Sequence, residues 1–148
     1  MAVVGYKKLE DLFKEVASLE LKKGHAKDIT DIVEKKLVDL LIAGERNANI
    51  NGRDVIWDGD LPITKGLQET IIEFRKLESE LNIDDILSFL TTVPPLKYPI
   101  SADLEEKLPE ITGAILVVIA KILKEVENNK LVDHQNIEKT KRIVDLTL

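Results

Sequence analysis

The sequence predicts an all-α fold in which two halves repeat one order of helices around a single buried helix. Three observations carry this. Apolar residues recur three and four apart through most of the 148 residues. The order short helix, long helix, short extended link, medium helix occurs twice. Within residues 111–123 only Thr112, Gly113 and Lys121 are not strongly apolar. That helix has no polar face and belongs at the centre, wrapped by the others. One compact domain is expected, with residues 1–83 as its first half and 84–148 as its second.

Leu9, Leu12, Phe13 and Val16 share one face of a short first helix, ended by Leu21-Lys22-Lys23-Gly24. Asp28 or Thr30 is placed to cap a long second helix. Its stripe runs through Ile29, Val33, Leu37, Leu40, Gly44 and Ala48 and reaches Asn49. Asn51-Gly52 stops it, because glycine accepts the left-handed conformation that closes a helix. Val55-Ile56-Trp57 is too short for more than one extended β-bridge segment. Asp60 stands where the N-cap of a third helix belongs, with Pro62 in its first turn. Ile63, Leu67, Ile71, Phe74, Leu77 and Leu81 mark that helix.

In the second half, Asp84 or Asp85 caps a short helix over residues 86–90. Pro94, Pro95 and Pro99 make the next stretch a stiff loop. Ser101-Ala102-Asp103-Leu104-Glu105 starts a long helix reaching Glu127, in which Pro109 either makes a kink or separates a short first segment. Asn128-Asn129-Lys130 stops it. Leu131-Val132 is again an extended link, and Ile137, Ile143, Val144 and Leu146 mark the last helix.

The link between the second and third helices holds a cation and an anion seven residues apart, Arg53 and Asp60. An extended segment followed by a helix start brings the two together. A partly buried Arg–Asp pair would set the angle between the helices through bidentate hydrogen bonds. Trp57 is expected to cap the core beside this link; the sharper alternative is an exposed stacking platform.

Chemistry of other kinds finds no support. The chain has no Cys, which excludes disulfides and thiol catalysis. Its two histidines, His25 and His134, stand in no ligand-like spacing and are expected at loops or helix caps, so no metal site is predicted. No glycine pattern forms a nucleotide cradle, and no serine carries a nucleophile motif. Glu69, Glu73, Glu78 and Glu80 with Arg75 and Lys76 look like a solvated helix face. No catalytic residue and no cofactor are expected, and the chain is not expected to be an enzyme.

The net charge is −6. Residues 1–83 hold 13 basic and 16 acidic side chains, and residues 84–148 hold 8 and 11, so each half carries −3 and no basic tail is present. A protein that coats nucleic acid should be basic, because neutralising phosphates supplies most of its affinity. Lys7, Lys8 and Glu10 interrupt the N-terminus too early for a secretory signal. The longest apolar run, Ala114 to Ala120, is far short of the roughly 20 residues that span a bilayer. A soluble cytoplasmic protein without membrane contact is expected.

A long helix, Gly52-Arg53, a short β-branched segment and Asp60 opening the next helix resemble the second loop of the histone fold, specifically within residues 26–70. Nearly the whole chain is similar to a small bacterial family of uncharacterised, archaeal-histone-related doublet proteins. Three stretches carry that similarity: Glu45-Arg46-Asn47-Ala48-Asn49 leading into Gly52-Arg53-Asp54, Asp60-Leu61-Pro62-Ile63-Thr64-Lys65 and onward to Thr70, and Pro94-Pro95-Leu96. The resemblance implies two tandem histone-like halves, the second degenerate, forming an intramolecular pseudo-dimer. It also implies that the first loop of each half meets the second loop of the other. Lys22, Lys23 and Lys27 would then lie beside Asn128-Asn129-Lys130, and Lys97 and Tyr98 beside Arg53. Aligning Val132 with Ile56 puts Asn129 and Asn136 at the Arg53 and Asp60 positions, so the ion-pair clamp is missing from the second half.

These cations (Lys22, Lys23, Lys27, Arg53, Lys97 and Lys130) are the candidate DNA contacts, helped by backbone N–H groups at the adjoining helix starts. Histones commonly place Thr two residues after the loop arginine; Val55 stands there instead. With the acidic balance, this favours a non-enzymatic protein-interaction or scaffold module whose partner is another protein. The alternative is a weak, non-specific histone-like DNA-binding protein. In either case the molecule is expected to be a monomer that has already paired with itself.

Overall fold

The computed structural model describes residues 6–81, 91, 93–128 and 131–148, without the side chains of residues 79–81. Five α-helices are present among them: α1 (Tyr6–Ala17), α2 (Lys23–Ile50), α3 (Lys65–Leu81), α4 (Ala102–Val126) and α5 (His134–Thr147). A single 3-10 turn, Asp58–Asp60, precedes α3. The only pairing of extended backbone among the described residues is two isolated parallel bridges, Glu20 with Leu131 and Ile56 with Ile100. The protein is all-helical. The short helix expected over 86–90, with its caps Asp84 and Asp85, lies outside the described residues, as do Asn129 and Lys130.

α4 forms the centre. Every residue from Ile111 to Val117 is buried, as are Ile119, Ala120 and Leu123. α4 packs against each of the other four helices. The ring of Phe74 in α3 lies directly over Gly113, where an added Cβ would stand 2.1 Å from the ring. Ser101 caps α4 by accepting from the Leu104 N–H at 3.1 Å. Pro109 neither splits nor ends this helix, which is continuous from Ala102 to Val126. The carbonyl that Pro109 leaves without a helical donor belongs to Glu105, on the exposed side where water can serve it.

Three boundaries differ from the sequence expectation. α1 ends at Ala17, with Ser18 in the left-handed region at φ 55°, rather than at Leu21–Gly24. α2 begins at Lys23, so Asp28 and Thr30 are inside it and cap nothing. The bridge to Leu131 holds Glu20 extended, and the helix starts as soon as the chain leaves that bridge. Thr30 instead bonds back to the Lys27 carbonyl at 2.9 Å. Asp60 and Pro62 do not open α3: Asp60 closes the 3-10 turn, and Thr64 caps α3 by accepting from the Leu67 N–H at 3.2 Å. Ile63 therefore precedes the helix.

The end of α2 is built as expected. Gly52 is left-handed at φ 75°. Its N–H donates to Asn49 O at 3.0 Å, and the Arg53 N–H donates to Ala48 O at 2.9 Å. These are the two bonds of a Schellman closure. The α3 charges do not form a merely solvated face. Arg75 reaches across to Glu110 of α4 with two bonds of 2.9 and 2.8 Å, and Glu73 pairs with Lys121 of α4.

Candidate functional site at the two bridged ends

The first end joins the α2–α3 link to the segment entering α4. The Ile56 N–H donates to Pro99 O, and the Ser101 N–H donates to Ile56 O, both at 2.9 Å. Arg53 and Asp60 meet here in a bidentate pair of 2.5 and 2.6 Å. Asp60 is only 5% exposed and also accepts from the Trp57 N–H at 2.8 Å. The Arg53 guanidinium holds the Asp60 carboxyl below its ordinary range, with the Trp57 N–H assisting against burial. Asn47 ties the same turn to α2 by donating to Asp60 O at 2.8 Å.

Trp57 does not cap the core. It is half-exposed, and the Arg53 guanidinium lies 3.8 Å from its ring centroid. The cation is thus held between a carboxylate and an aromatic face. On the other side of the bridge, Glu45 accepts from two successive backbone N–H groups, Lys97 at 2.6 Å and Tyr98 at 3.1 Å. The Tyr98 hydroxyl reaches Asn49 at 3.1 Å. Asp58 pairs with Lys107, whose ammonium holds that carboxyl low.

The second end joins the α1–α2 loop to the α4–α5 link, with the Val132 N–H donating to Glu20 O at 3.0 Å. The first turns of α2 and α5 meet there. His25 and His134 stack with centroids 6.4 Å apart and planes at 30°. His134 Nδ1 lies 3.6 Å from Asp28, while His25 Nδ1 is buried without a hydrogen-bond partner. Burial pushes the His25 pKa down. The histidines stand at two helix starts, in keeping with the helix-cap expectation, and stack on each other there.

Lys27 is paired with Asp31 at 3.1 Å. Lys22 and Lys23 are exposed, with no ion pair among the described residues. A clamp that sequence reasoning missed stands at this end. Glu127, buried at the end of α4, accepts from the Asp133 N–H at 2.9 Å and from the Asn136 amide at 3.0 Å. The aligned Asn136 is thus engaged, though by an acid that precedes the link. An acidic residue at a helix end with an amide nine positions on was the available signal.

Of the candidate contacts, the Ile56–Ile100 bridge joins the link of Arg53 to the segment that follows Lys97, and the Glu20–Leu131 bridge lies just before Lys22 and Lys23, with Lys27 one turn further along α2. The described residues contain no group of three or more His, Asp or Glu arranged to hold a metal. Among them, no helix is long and apolar enough to cross a membrane.

Two isolated backbone bridges and one central helix that packs against the other four described helices define an all-helical domain. The chain belongs to the family described as a domain of unknown function (DUF1931), whose model matches residues 9–145. It is similar to a crystal structure from Thermus thermophilus, with 39% identity, a TM-score of 0.87 and full coverage of both chains. A crystal structure of an Aquifex aeolicus protein is 28% identical with a TM-score of 0.87, covering 97% of this chain and 95% of that one. A protein of Aquifex aeolicus (strain VF5) described as uncharacterized is 28% identical over 141 residues, covering 95% of this chain and 82% of its own length.

Proposed function

We propose that the chain is a histone-fold doublet that acts in the cytoplasm as a non-enzymatic protein-interaction scaffold. The crossed bridges support the doublet: Glu20 with Leu131 and Ile56 with Ile100 each join a first-half segment to a second-half segment, at opposite helix boundaries. One observation carries the scaffold over a DNA-coating role. The loop arginine that would face phosphate is consumed, bonded twice to Asp60 and covered by Trp57. Glu45 and Asp54 add negative charge around the same end, and net charge of one sign repels a polyanion of that sign.

A second reading, weak and sequence-tolerant DNA binding, is favoured by Lys22 and Lys23. They stand exposed where the N-termini of α2 and α5 converge, and helix N-termini attract phosphate. Fluorescence anisotropy of a labelled duplex, at low and near-physiological salt, separates the two. Absence of binding even at low salt fits the scaffold, whereas binding at low salt that is lost at near-physiological salt and abolished by Lys22→Glu, Lys23→Glu and Lys130→Glu together fits the weak DNA-binding reading. Tight binding that survives near-physiological salt overturns the scaffold.

A further inference from the structure

The solvent face of α2 carries a pattern that the self-paired fold does not use. Ile42 is 52% exposed in the middle of the helix. Asp39, Ile42, Ala43 and Arg46 line a hollow of about 190 Å3, and Ile42 and Arg46 also border a second of about 240 Å3 toward Lys97 and Tyr98. Ile42 and Arg46 therefore form a ridge, one helical turn long, between two depressions. Arg46 has no ion pair among the described residues, and Asp39 meets only Lys35, at 3.3 Å.

We propose that this face is the docking surface for a second copy of the chain, two α2 helices crossing antiparallel about a two-fold axis between residues 42 and 43. The charges specify the occupant. Under that symmetry Asp39 of each copy faces Arg46 of the other, and the apolar Ile42–Ala43 centre meets itself. A surface that complements its own rotated image is the requirement of an isologous dimer. Parallel crossing would set like charge on like. Asp39 and Arg46 each lie about 5 Å along the helix from the axis, at 1.5 Å rise per residue. Packing of ridges four residues apart, at a crossing angle near −50°, sets each copy's ridge in the other's hollow and keeps the arginine within reach of the aspartate. One helix crossing buries less than the roughly 1,600 Å2 of a standard interface, which puts the contact in the class of weak, transient encounters. The surface adjoins the first bridged end at Lys97 and Tyr98 but uses neither the Arg53–Asp60 pair nor Lys22 and Lys23, so charge exchange at Asp39 and Arg46 tests the dimer apart from the DNA reading.

Sedimentation velocity of the intact chain, from micromolar to near-millimolar concentration, is the test. The expected mass rises with concentration from 16.7 kDa toward twice that value. Asp39→Arg alone and Arg46→Asp alone each set two like-charged contacts across the axis and should weaken association at least tenfold. The double exchange D39R/R46D recreates both pairs and should restore it. Ile42→Asp should abolish it, with circular dichroism melts verifying that each variant folds. A chain that stays monomeric throughout, single exchanges without effect, or a double exchange as weak as the singles would each overturn the proposal.

Discussion

At the scale of single residues, Asp60 is the side chain on which the first link depends. It is nearly buried, answers both nitrogens of Arg53 and holds the Trp57 N–H. Removing one partner of such a pair leaves the other partly desolvated, so Asp60→Ala should cost about 3 kcal/mol in urea unfolding. Glu110, in a more exposed pair with Arg75, should give a Glu110→Gln variant hardly distinguishable from the parent. Because Arg53 holds Asp60 low, the unfolded chain takes up that proton first. The pair's stabilisation is complete above about pH 4 and is lost as pH falls toward the folded value. His25 acts in the same direction at higher pH. Burial lowers its pKa, so stability falls as pH drops through about 6.5. Urea midpoints at pH 7.5 and 5.5 should differ less for His25→Leu than for the parent. Arg53 and Asp60 were legible because both belong to one link. The Glu127 clamp and the His25–His134 stack were not, because each depends on where the second link lies against the rest of the fold.

At the scale of elements, helix interiors were legible and helix starts less so. The stripe of α2 follows from apolar periodicity, and the central place of α4 from its all-round apolarity. The start of α2 depends on a distant segment, since the Glu20–Leu131 bridge sets where the chain can turn helical. Thr64 displaced Asp60 as the cap because the carboxylate was already engaged by Arg53, a competition that local propensity does not express. Two helix glycines separate close packing from mere tolerance. At Gly113 an added methyl enters the Phe74 ring, so Gly113→Ala should cost at least about 2 kcal/mol, with Phe74→Leu recovering part of the loss in a double-mutant cycle. At Gly44 an added Cβ would meet Leu61 Cδ1 at 2.8 Å and Ile56 Cγ2 at 3.2 Å, the first of them the end of a flexible side chain. There the helix-propensity gain of about 1 kcal/mol offsets part of the crowding, and Gly44→Ala should be destabilised less than Gly113→Ala. Thermal and urea unfolding of the two variants, side by side, checks both.

At the scale of the molecule, the all-helical class and the central place of residues 111–123 could be read from apolar patterning. The crossed joining of the ends could not; it followed only from resemblance, because no local signal pairs Glu20 with Leu131 or Ile56 with Ile100. α4 contacts each of the other four described helices, so the apolar faces of α1, α2 and α3 are completed by a helix that lies after residue 101. Residues 1–83 expressed alone should lack a cooperative melt by far-ultraviolet circular dichroism, and the intact chain should unfold in one transition.

The late position of α4 in the chain bears on how the protein is made. Residues are extruded from the ribosome in order, and most folding domains can close once their own segment has emerged. Here α1, α2 and α3 leave the exit tunnel with the apolar faces that α4 will cover still open to solvent. The Glu20 bridge stays open until Leu131 has been synthesised. Nascent chains arrested before residue 102 should therefore be cut readily by protease. Chains released at full length should become resistant in a single step.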